Sequence, residues 1–206
     1  MDLLQPGWHM VIDPRDWAQA TRMHESTHVT ASEALGIPVI DVWANVDPHV
    51  AHGGQYRNGL GDSQHQATVY AIGSEGGAHE LRERGYPDAL AHAFTLACGA
   101  ADRQMAADLI PDAAAQGYRV DADLAYDVGL QILHSPGFVD TARAVADAMA
   151  DRGDLLTGTD VRAAMGDFEL DQGLWLPTSP DITTPEAHQH SLQPALEYEF
   201  DDDIDL

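Results

Sequence analysis

The 206-residue chain contains no lysine and a single cysteine, and each shortage removes a class of function. Ten arginines face 34 acidic residues, a formal net charge of −24. Sequence-general binding to nucleic-acid phosphates needs clustered Lys or Arg to displace condensed counterions, and an anionic membrane surface needs the same, so no nucleic acid and no membrane are expected as partners. A lone Cys98 can form neither an internal disulfide nor a cysteine-based zinc ribbon, which fits a reducing, cytoplasmic setting. Long apolar runs are also missing. The mid-chain stretch free of Asp, Glu and Arg, from Ala89 to Ala101, is too short to span a bilayer and still contains His92. The N-terminus Met1-Asp2-Leu3-Leu4-Gln5-Pro6 lacks the basic and apolar regions of a signal peptide.

What remains is an ordinary globular composition, 44% hydrophobic and 21% charged, at a length that suits one compact domain. Asp13-Pro14 reads as a helix start, with Asp13 capping and Pro14 in the first helical position, and Gly36 as the matching stop. Trp17, Ala20, Thr21, His24, His28 and Ala31 recur along that helix at three- and four-residue spacing, so one face carries both histidines. The β-branched run Ile37 to Ala44 reads as a strand, and His52-Gly53-Gly54-Gln55-Tyr56 as the opening of a second.

Further on, Ala89 to Ile110 reads as one long core helix with Gly99 as a weak point, and Asp121 to His134 as another. Phe138 to Met149 and a shorter helix from Thr159 to Phe168, capped by Thr159, complete the set. Cys98, Trp43 and Trp175 are expected as packing residues. Four prolines beyond residue 176 and six acids in the last ten residues mark 177–206 as an acidic, disordered tail behind a domain of residues 1–176. The fold class expected is α+β, mainly α-helical.

The chemistry lies in His24-Glu25-Ser26-Thr27-His28. Histidines four apart on a helix stand one above the other and can share a cation at about 2.0–2.1 Å, while the adjacent Glu25 can hold and deprotonate a water beside it. This is the H-E-x-x-H arrangement of zinc peptidases; the alternative is a helix with two hydrogen-bonded histidines. A catalytic zinc needs a third protein ligand. Spacing alone leaves Asp102, Asp108, Asp123, Asp127, His49, His52, His65 and His134 all open.

The run from His24 to Val39, followed by His52-Gly53-Gly54, resembles the peptidase domain of FtsH-type ATP-dependent zinc proteases. The resemblance implies a zincin-like metal helix packed on a small sheet, a Zn2+ cofactor, and a third ligand from an Asp at the start of a later helix. Asp121-Ala122-Asp123-Leu124 looks like that stretch, which puts Asp123 in the metal site beside His24 and His28, with Asp127 as an orienting neighbour. Glu25 is then the catalytic base, and the substrate a peptide or unfolded protein whose extended backbone adds to the sheet edge near Gly54. Ser26-Thr27 stand where the family has Ala-Gly, residues 63–86 form an insertion, and no ATPase module is evident, which implies a separate unfoldase. The competing class is a non-catalytic acidic interaction protein that binds a basic partner and carries a structural or vestigial zinc site.

Overall fold

The computed structural model describes residues 12–47 and 54–170. Its elements run α1 (Pro14–Ala34), β1 (Val39–Ala44), β2 (Gly54–Asn58), α2 (Ser63–Glu83), α3 (Asp88–Cys98), α4 (Ala100–Ala115), α5 (Ala122–Leu133), α6 (Phe138–Asp151), β3 (Leu155–Thr157) and α7 (Gly158–Met165). The architecture is α+β and mainly helical, with one antiparallel sheet of order β2-β1-β3 among the described residues. No helix among them is long and apolar enough to cross a membrane. The expected tail, Trp175, His49 and His52 lie outside the described residues.

Helix α1 starts and stops as its sequence dictates. The Asp13 carboxylate accepts from the Arg15 amide, Pro14 opens the first turn, and Gly36 leaves the helix with φ +76°, a conformation that costs glycine little. The helix is central, so residues on nearly every side of it are buried, including Ser26, Thr27, Thr30 and Ser32. One side packs on α6 and the sheet through Val29, Val42, Val145, Met149 and Leu156. The other side meets α2.

Three expectations need correction. The stretch read as an insertion is α2, a 21-residue helix capped by Asp62, whose glycines conceal its helical pattern. The long helix expected from Ala89 to Ile110 is two helices: Gly99, at φ −87° and ψ 9°, ends α3 and opens α4. The last helix is capped by Thr157, which forms a reciprocal capping box with Asp160, rather than by Thr159. Trp43 is also less of an anchor than expected, being 39% exposed on β1 opposite Leu155 of β3.

Candidate metal centre

Helix α1 places His24, Glu25 and His28 on one buried face. Helix α4 begins directly after Gly99, and Asp102 in its first turn meets the two histidines. The Asp102 Oδ2 atom lies 2.8 Å from His24 Nε2 and 3.4 Å from His28 Nε2, and the two Nε2 atoms are 3.0 Å apart. Tetrahedral coordination at about 2.0–2.1 Å sets neighbouring ligand atoms about 3.3 Å apart, close to these separations. Two imidazoles and one carboxylate are a donor set able to hold a divalent metal ion. On both counts the residues fit the ion.

His28 is oriented from behind. Its Nδ1 lies 2.9 Å from the Val69 carbonyl of α2, which accepts the Nδ1 proton and leaves the Nε2 lone pair for the cluster. The Tyr56 ring of β2 stacks on the imidazole at 5.0 Å and 23°, and Tyr70 of α2 meets it edge-on at 6.0 Å and 64°. Helix α2 can come this close because of Gly73: a Cβ there would fall 2.1 Å from His28 Nε2. Strand β2 approaches in the same way, since a Cβ on Gly54 would fall 2.8 Å from the Glu25 side chain.

The charges respond to one another. Burial raises the pKa of Glu25, against the pull of the two histidines. Burial lowers that of His24, but the Asp102 carboxylate outweighs it and the net shift is upward. Asp102 itself is held well below the carboxylate range, because the two histidines overcome its desolvation. All four residues line a cavity of about 590 Å³, in the usual size range of ligand sites, whose far wall is apolar and includes Trp17, Phe94 and Met105.

The protein-family models, the curated proteins and the solved structures contain no match to this chain. The reading of the site rests on its own geometry.

The structure thus joins His24, Glu25 and His28 as the sequence predicts, but the residue it brings to the two histidines is Asp102. Asp123 lies exposed in the first turn of α5, and Asp127 is exposed one turn further on. Gly99 opens α4, which makes Asp102 a helix-start acid, and it lets the α3–α4 junction close on α2, since a Cβ there would fall 2.3 Å from Ser74 Oγ. Of the other open candidates, His65 pairs with Asp62 at 2.6 Å, Asp108 accepts from Gln104, and His134 is an exposed C-cap. Cys98 ends α3 half-buried at the cavity wall instead of inside a helix core, where burial pushes its thiol up to about 12 and leaves it a poor nucleophile. Residues Tyr56, Val69, Tyr70 and Gly73 carried no motif. Reading Gly99 as a break would have pointed to Asp102.

Proposed function

We propose that this protein is a zinc-dependent metallopeptidase of zincin-like build, related in its site to the FtsH-type peptidase domain. The observation that carries the reading is the convergence of His24, His28 and Asp102, with Glu25 beside them, at the wall of one cavity. The Asp stands at the start of a later helix, as the resemblance implies; the helix is α4 rather than α5.

His24, His28 and Asp102 would hold the zinc, which as a Lewis acid makes water nucleophilic near neutral pH and polarises a carbonyl. Glu25 would accept a proton from the attacking water and return it to the departing amine. Its side chain is buried against Gly54, which keeps bulk water from it. Among the described residues β2 pairs only with β1, which leaves its second edge for an extended substrate, and Gly54 at its start lies against Glu25. The substrate class is a peptide or an unfolded protein segment.

The test combines metal analysis with turnover. Wild-type protein should hold one zinc per chain and cleave an unfolded peptide library. Glu25→Gln should keep the zinc and lose about 10²–10⁴-fold in kcat. Zinc at full stoichiometry with no cleavage of any peptide would reduce the site to a structural one.

A further inference from the structure

A peptidase of this kind must stabilise the negative charge that develops on the scissile carbonyl oxygen, and a second donor beside the metal is the usual device. Among the described residues lining the cavity there is no arginine to do it. The polar side chains other than the candidate ligands and Glu25 are few. Trp17 Nε1 and Thr21 Oγ1 are sealed from solvent, Gln55 and Trp43 are exposed, and the Cys98 thiol is a weak donor. Two tyrosines remain, and both pack on the ligand His28 with their rings 5.5 Å apart.

Their geometries assign them different work. Tyr56 lies nearly parallel to the imidazole and its hydroxyl is covered from solvent, so it serves as a wall. Tyr70 meets His28 edge-on, is only half-buried, and follows directly after Val69, whose carbonyl fixes His28. One backbone segment therefore sets both the ligand and the phenol.

Building on the peptidase reading, we infer that Tyr70 is a catalytic residue whose hydroxyl donates a hydrogen bond to the carbonyl oxygen of the substrate as it becomes an oxyanion. No bond to the phenol is made or broken, and Tyr70 keeps its proton throughout.

The experiment compares wild type with Tyr70→Phe, zinc-loaded, by three readings: zinc content, turnover of a cleaved peptide, and calorimetric binding of a phosphinic peptide whose tetrahedral P–O⁻ group mimics the charged intermediate. The variant should keep its zinc and melting temperature, lose about 10²–10³-fold in kcat with KM changed less than about threefold, and bind the phosphinate at least about tenfold more weakly. Unchanged kcat and phosphinate affinity in a variant that still cleaves would overturn this inference alone. Loss of zinc from Tyr70→Phe would also overturn it, by making the tyrosine a mere support of His28. Wild-type protein that holds zinc but neither cleaves peptides nor binds the phosphinate would overturn the peptidase reading and this inference together.

Discussion

The two sides of α1 are built on opposite principles. Against α6 and the sheet, the helix packs in the ordinary manner, with Val29, Val145, Met149 and Leu156 interlocking at full side-chain length. Against α2 it packs backbone to side chain. A Cβ on Gly76 would fall 1.8 Å from Thr27 Oγ1, and one on Gly77 would fall 2.6 Å from the Ala20 carbonyl. Each interior glycine costs a helix about 1 kcal/mol relative to alanine, so α2 forgoes local stability for proximity. That proximity sets the Val69 carbonyl, Tyr70 and Gly73 against His28. One side of the helix thus serves stability and the other serves the site.

This division also accounts for Ser26-Thr27 in place of the smaller pair expected from the resemblance. Thr27 fills the space opposite Gly76 and donates its hydroxyl to the Met23 carbonyl at 2.7 Å, so the bulk added on α1 is removed on α2. Ser26 turns to the other side, with its hydroxyl 3.5 Å from Met149 Sδ.

Substitutions on each side should separate the two roles. The largest effect is expected at Asp102→Asn, which removes a candidate ligand outright: zinc affinity in a competitive chelator titration should fall by more than the roughly 10–100-fold typical of outer-shell changes. Leu156→Ala, on the packing side, should cost about 2–5 kcal/mol in denaturant unfolding yet leave zinc stoichiometry unaltered. Gly73→Ala should show the reverse balance. Its Cβ cannot share space with the His28 ring, which Tyr56 and the Val69 carbonyl hold in place, so metal binding should be lost while stability falls by only about 1–3 kcal/mol.

The pH response should differ in sign between the metal-free and zinc-loaded protein. Without metal, His24 has a folded-state pKa raised by Asp102, so its imidazolium stabilises the fold below the ordinary histidine pKa, and this is lost as pH rises through the raised value. Zinc needs the neutral imidazole, so its affinity should instead rise with pH over that window, by about tenfold per unit for one displaced proton. Unfolding curves and chelator titrations from pH 5 to 9 would check both slopes, and parallel slopes would remove Asp102 from the site. The smallest change is expected at Asp123→Asn, an exposed α5 position, where zinc affinity should stay within about twofold of wild type in the same titration.

Much of the fold was legible because its signals are local. Asp13-Pro14 and Gly36 bound α1, and the spacing of His24 and His28 fixes them on one face whatever surrounds the helix. Residues Val39 to Ala44 are β-branched and alternate in part, with a register shift between Val39 and Asp41, and the amphipathic faces of α5 and α6 follow from their own spacing. Helix α2 was hidden because Gly73, Gly76 and Gly77 depress propensity, and what restores it is burial against α1, a contact between segments far apart in the chain.

The pair of histidines with Glu25 is thus a property of the sequence alone, since a 3.6-residue period dictates which side chains share a face. The third partner is not. Several acids met the chemical requirement, and only the packing of the helices, with Gly73 and Gly99 admitting close contacts of α2 with α1 and with the α3–α4 junction, decided that Asp102 meets the histidines while Asp123 faces solvent. Metal ligands from separate elements depend on distances set by packing, and packing is a property of the whole chain.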